Sequence, residues 1–212
     1  MLIFVEISKN LDIKIEIDGG VKDTNIKDNS YYVDEIIGVD GTNYGIGVYL
    51  NSQTLDGLSD EQRIETVRKH IKNLGGHPFT AFDNDGNEVK IKVAPKTKYQ
   101  TEKGGWERAN RHLTNFVLED KKQESIILID EIIYAAKFDK PEPAKHRHGW
   151  LDNNGKNDWD IWTTYIQDKE NTIWEAKLQI ANSANGEKIL YDIHPIKEVG
   201  PGSTMPEKPT KN

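Results

Sequence analysis

The sequence predicts an α+β fold: helices packed on an antiparallel β-meander sheet, preceded by a smaller α+β N-terminal part. Three observations predict it. Residues 121–138 carry Ile126, Ile127, Leu128, Ile129, Ile132, Ile133, Ala135 and Ala136 around most of a helix circumference, and a helix apolar nearly all round is buried. Three strand-patterned runs follow, 161–167, 172–180 and 188–193, joined by the polar turns Asp168-Lys169-Glu170-Asn171 and Asn185-Gly186. Upstream, a capped amphipathic helix precedes a hairpin. The expected boundaries are 1–95 for the N-terminal part, 96–199 for the main domain and 200–212 for a disordered tail or linker stub.

Each element has its own warrant. Ile13, Ile15 and Ile17 alternate with Lys14 and Glu16, so residues 1–18 read as strand material and 19–30 as loop. A Gly-rich strand over 44–50 carries Gly45 and Gly47, which point to a bend or a close backbone approach. The helix over 59–74 has Ser59 as N-cap with Gln62 completing a capping box. Ile64, Val67, Ile71 and Leu74 form its apolar stripe, and Gly75 is its left-handed C-cap. Residues 78–83 and 88–94 form a hairpin around Asn84-Asp85-Gly86-Asn87. Residues 95–120 connect, with a helix from 106 to 115 that brings Arg108, Arg111 and His112 to one face. The apolar helix runs to residue 138 and is stopped by Pro141 and Pro143. Thr172, Trp174, Ala176, Leu178 and Ile180 form the inward face of the second meander strand. For the first strand, Ile161/Thr163/Tyr165 and Trp162/Thr164/Ile166 compete for the inward face.

The bulk composition removes several classes of function. The chain has 212 residues, 35% hydrophobic and 30% charged, enough for a sizeable core. No cysteine is present, which removes disulfides and thiol catalysis and weakens any zinc reading. The sequence has no apolar run of membrane-spanning length and no basic leader, so a cytoplasmic protein without membrane contact is expected. The net charge of −7 argues against a generic nucleic-acid binder. The charge is uneven: 16 acidic against 10 basic groups over 1–95, but 11 basic against 9 acidic over 96–150. A polyanion site belongs in that middle third.

There the stretch Lys145-His146-Arg147-His148-Gly149-Trp150 interleaves two histidines with fixed cations. Histidine moves protons near neutral pH, and Arg and Lys hold phosphate. The competing reading is a solvated basic turn. Asp130 and Glu131 on the apolar helix need partners, either in a structural ion pair or in a site. His70, His77 and the tryptophans at 150, 159, 162 and 174 read first as surface or packing residues.

Residues from about 44 to 199 resemble a known family. The resemblance rests on Tyr44-Gly45-Ile46-Gly47-Val48, Leu74-Gly75-Gly76, Phe79-Thr80-Ala81, Asp130-Glu131-Ile132-Ile133, His146 to Asn153, Asp158-Trp159-Asp160 and Ile189-Leu190-Tyr191-Asp192-Ile193. These resemble the third group of large polyvalent-protein-associated domains of phages and conjugative elements. The C-terminal part resembles the barnase/EndoU/colicin/RelE-like nuclease fold. The resemblance implies a toxin or effector domain acting as a metal-independent ribonuclease in a bacterial cytoplasm, with RNA such as tRNA as substrate. It further implies a cognate immunity or antitoxin protein, and other domains of a larger phage protein, as partners. No cofactor or metal is called for.

His146 and His148 are carried from the matching motif as acid–base groups. Arg111, Lys98, Thr163 and Tyr165 are added by residue type and expected position: Arg111 and Lys98 to hold the phosphate, Thr163 or Tyr165 to donate a hydrogen bond. Asp152 and Asp158 are placed to orient a histidine. Two alternatives stand beside this: a non-catalytic protein- or nucleic-acid-binding module, and a metal-dependent enzyme built on His146, His148 and Asp152.

Overall fold

The computed structural model describes residues 31–50, 55–93, 120–143, 159–183 and 186–203. Among them are eight strands and three helices: β1 (Tyr31–Ile37), β2 (Asn43–Leu50), α1 (Asp60–Leu74), β3 (Pro78–Phe82), β4 (Glu88–Val93), α2 (Asp120–Ile127), α3 (Ile129–Ala135), β5 (Lys137–Glu142), β6 (Trp159–Gln167), β7 (Thr172–Asn182) and β8 (Lys188–Pro201).

The expected fold class is overturned. The structure is mostly β, 54% strand against 24% helix, with a sheet curled into a half-barrel rather than helices laid on a simple antiparallel meander. The meander exists as β6, β7 and β8, paired antiparallel. It is the middle of a larger mixed sheet of order β1-β2-β6-β7-β8-β4-β3, with β5 also on β6. Two parallel pairings make it mixed: Gly47–Tyr49 of β2 beside Tyr165–Gln167 of β6, and Ile91–Val93 of β4 beside Lys188–Leu190 of β8. Local alternation predicts strands well but carries no information on which distant strand each one joins, and this is where the expectation failed.

The curl has a visible closing contact. At its far end β8, still paired with the start of β7, also reaches the end of β1: Gly38 bridges Gly202, the Ser203 N–H donates to the Ile37 carbonyl at 2.8 Å, and the Val39 N–H donates to the Pro201 carbonyl at 3.2 Å.

Local expectations that were met follow from capping and periodicity. Ser59 caps α1, with the reciprocal Gln62 bond present, and Gly75 is left-handed at φ 42°. The β3–β4 hairpin closes over Asp83, whose carboxylate accepts from the Asp85 and Asn87 N–H groups. The expected single helix over 121–138 is instead two short helices, interrupted at Leu128 (φ −106°, ψ 29°) and followed by a strand from Lys137. Pro141 lies inside that strand, which is tolerable because β5 pairs with β6 alone. Gly47 is required for close approach: a Cβ there would meet the Ile36 side chain and lie 2.5 Å from the Tyr165 carbonyl.

The main core lies between the helices and one face of the sheet. Val67 and Ile71 of α1, Ile126 of α2 and Ile129, Ile132 and Ile133 of α3 pack with Trp162, Ile166, Leu178, Ile180 and Leu190. Each fully buried side chain of this kind contributes about 1.5–3 kcal/mol. This settles the inward face of β6 as Trp162/Thr164/Ile166. Thr163 and Tyr165 are half-buried on the other face, beside a second apolar cluster of Ile36, Tyr49 and Ile173 with Tyr44, Tyr165 and Val199.

Candidate functional site

The face of β6–β8 turned away from the main core carries a compact set of polar groups, and strand register defines it. Tyr165 lies opposite Glu175, Thr163 opposite Lys177, and Ile161 opposite Gln179, which in turn lies opposite Asp192. Residues two apart on a strand share a face, so Thr163 and Tyr165 belong with Lys177 and Glu175.

Two irregularities in β8 shape the site. Gln179 pairs with Asp192 while Ile180 pairs with Leu190, so Tyr191 is an extra residue. Ala176 pairs with Ile196 while Leu178 pairs with Ile193, so Lys177 alone faces His194 and Pro195. Bulges of this kind re-aim side chains and break the regular alternation.

The result is a chain of charged groups running from the interior to the surface. The Lys122 ammonium on α2 donates to Asp192 Oδ1 at 2.7 Å, and the Ile193 N–H donates to the same oxygen at 2.8 Å. Asp192 Oδ2 lies 3.3 Å from His194 Nδ1. Side-chain exposure rises along the chain, from 2% at Lys122 to 10% at Asp192 and 54% at His194. Burial pushes the Asp192 carboxyl up, but its bonds to His194 and Lys122 outweigh burial and hold it below the usual carboxylate range. The bond to Asp192 raises His194 above the ordinary imidazole value; burial and Lys122 oppose this, and the charges of Asp192 and Glu142 add to it.

Tyr165 is built for hydrogen bonding rather than proton transfer. Burial, with the neighbouring Glu175, Tyr44 and Asp139, raises its hydroxyl above the usual phenol value. That hydroxyl donates weakly to Glu175 at 3.5 Å, and its ring packs 5.2 Å from Tyr44. Lys177 lies 3.4 Å from Glu175.

Chemically, the arrangement is a carboxylate-backed histidine. A carboxylate at Nδ1 selects the tautomer with Nε2 free, orients the ring and stabilises the imidazolium when a proton is taken up. The half-exposed ring is accessible to solvent; Lys177 lies across the bulge from His194 on the neighbouring strand, and Thr163 and Tyr165 lie one strand further on.

Of the residues predicted from sequence, Thr163 and Tyr165 are brought together on this face. His146, His148, Arg111 and Lys98, with Asp152 and Asp158, lie outside the described residues. Glu131 is buried and Asp130 partly so, the latter acting electrostatically on His70, whose imidazole burial pushes down. Among the described residues no cluster of three or more metal-ligating side chains occurs.

The residues missed were His194, Asp192 and Lys122. Asp-x-His on a strand places both side chains on one face in regular pleating, and that spacing was the available signal. Lys122 gave no signal, because it sits on a helix read for its apolar content. No protein-family model, curated protein or solved structure matches the chain.

Proposed function

We propose that the protein is a metal-independent ribonuclease in which His194, backed by Asp192, is an acid–base group. The observation that supports this most is the half-exposed His194 imidazole with Nδ1 3.3 Å from the buried Asp192 carboxylate. In this reading neutral His194 takes the proton of a ribose 2′-OH. The 2′-oxygen attacks the adjacent phosphorus, the bond from phosphorus to the 5′-oxygen breaks, and a second acid protonates that leaving oxygen. His148 supplies that proton and His146 assists. Lys177, Lys98 and Arg111 offset the charge of the phosphorane, and Thr163 or Tyr165 donates a hydrogen bond from the sheet. The products carry 2′,3′-cyclic phosphate and 5′-hydroxyl ends.

The proposal retains the resemblance to the third group of polyvalent-protein-associated domains, and with it a phage or mobile-element setting, a cytoplasmic site of action and a cognate inhibitor. No helix among the described residues is long and apolar enough to cross a membrane.

One observation favours a second reading, a binding module without chemistry. Lys177 is already engaged by Glu175, and Asp192 and Glu142 bring further negative charge to His194, which disfavours a polyanion. Incubation with tRNA and total RNA in EDTA separates the two. Cleavage to cyclic-phosphate ends, lost in His194→Ala, is the expected result. RNA or protein binding with no cleavage at micromolar protein selects the module, and cleavage indifferent to His194→Ala removes His194 from the mechanism.

A further inference from the structure

We propose that Lys122 tunes His194 through Asp192: its ammonium occupies the carboxylate oxygen that does not meet the imidazole, and its charge offsets the one Asp192 presents to the imidazole. This rests on His194 as the acid–base group proposed above.

The geometry divides Asp192 cleanly. Oδ1 is occupied by Lys122 at 2.7 Å and by the Ile193 N–H at 2.8 Å, while Oδ2 lies 3.3 Å from His194 Nδ1. A carboxylate held through one oxygen by a fixed donor and a backbone amide has little freedom to rotate away from its third partner.

Stability alone is a poor reason for this lysine. Desolvating two charges costs several kcal/mol for each, and an apolar pair of similar volume often serves a core equally well. Lys122 sits at the edge of the main core, 1% exposed as a whole residue, where an aliphatic residue would pack. What a cation adds there is electrostatic. The groups acting on His194 are Asp192 and Glu142, which favour its protonated form, and Lys122, which opposes them. A general base must be neutral at working pH to accept a proton, and Lys122 shifts the imidazole in that direction.

The test is to follow the titration of His194 by NMR, without RNA, using His194→Gln to assign its resonance. In Lys122→Met the midpoint moves to higher pH than in wild type, and in Lys122→Arg, which keeps the charge, it stays closer to wild type than in Lys122→Met. A Lys122→Met midpoint that is unchanged or lower overturns the proposal, as does an Arg variant that behaves like Met. If Lys122→Met does not fold, Lys122→Met/Asp192→Asn removes both charges together and is compared with Asp192→Asn alone. The double variant is expected to titrate higher, and equal midpoints overturn the proposal. The titration contains no substrate, so failure to cleave RNA leaves it standing, and its failure leaves the ribonuclease reading standing.

Discussion

Lys121 and Lys122 are neighbours on α2, both reach a buried carboxylate, and the two carboxylates do different things. Lys121 lies 3.0 Å from Asp168 and 3.3 Å from Glu124, with its ammonium 5.5 Å from the centre of the Trp174 ring. Asp168 has no capacity to spare: Oδ1 accepts from the Glu170 and Thr172 N–H groups, and Oδ2 from Trp174 Nε1 and Lys121. That network closes the β6–β7 turn and ends inside the protein. Lys122 meets Asp192, whose remaining oxygen is turned to a half-exposed histidine. Burial and ion pairing are common to both, so neither identifies a site. What distinguishes them is whether the chain of partners ends on a group that solvent or substrate can reach.

The comparison is tested most strongly at its two ends. His194→Ala is expected to lower RNA cleavage on the order of 10²–10⁴-fold, the usual contribution of a positioned acid or base, with the thermal midpoint little changed. Asp168→Ala should do the reverse. It leaves the Trp174 indole N–H and two backbone amides without their acceptor and Lys121 paired with Glu124, and costs about 1–3 kcal/mol for a buried donor left unpaired, read from chemical denaturation, while the folded protein cleaves as before. Loss of cleavage in folded Asp168→Ala would dissolve the distinction between the two networks.

What the sequence disclosed and what it concealed divide along the same physical line. Capping and periodicity are local, so Ser59, Gln62 and Gly75 of α1 and the turn at Asp83–Asn87 could be read directly. The inward face of β7, with Ala176, Leu178 and Ile180, followed from alternation. The parallel pairings of β2 with β6 and β4 with β8 link segments roughly a hundred residues apart, and no local pattern encodes them. The site was concealed for a related reason. Bulges at Tyr191 and opposite Lys177 break the alternation by which β8 would be read, and the Lys122–Asp192 contact spans 70 positions. Thr163 and Tyr165 share a face because β6 is regular, and alternation discloses that pairing without disclosing which face it is.

Gly47 tests whether the open face depends on the parallel seam between β2 and β6. Its Cα faces the Tyr165 carbonyl too closely for any side chain. Gly47→Ala is expected to push the strands apart and cost about 1–3 kcal/mol, as overpacking does, and to disturb Tyr165 and Tyr44 while leaving the Asp192–His194 pair, three strands along the sheet, in place. Chemical-shift changes confined to the Asp192–His194 pair would contradict that topology.

The smallest effect expected is the pH dependence of stability, and above neutrality it separates the two ion pairs. Asp168 and Asp192 both hold their protons less tightly folded than unfolded, so both stabilise above about pH 4, the ordinary carboxylate value, and lose this as pH falls through their depressed folded values. His194 is shifted the other way, raised on folding. Its contribution is fully present below about pH 6.5, the ordinary imidazole value, and is lost as pH rises through the higher folded value. The Asp192–His194 pair therefore stabilises only in the interval where both partners are charged, whereas the Asp168–Lys121 pair, with no histidine, persists past neutrality. Because His194 is half-exposed, solvent screening keeps its share under about 1 kcal/mol. Denaturation midpoints at pH 5.5 and 8.5 should fall more in wild type than in His194→Gln, with Asp168→Ala following wild type. Equal slopes in wild type and His194→Gln would mean that Asp192 orients the imidazole without stabilising its charge.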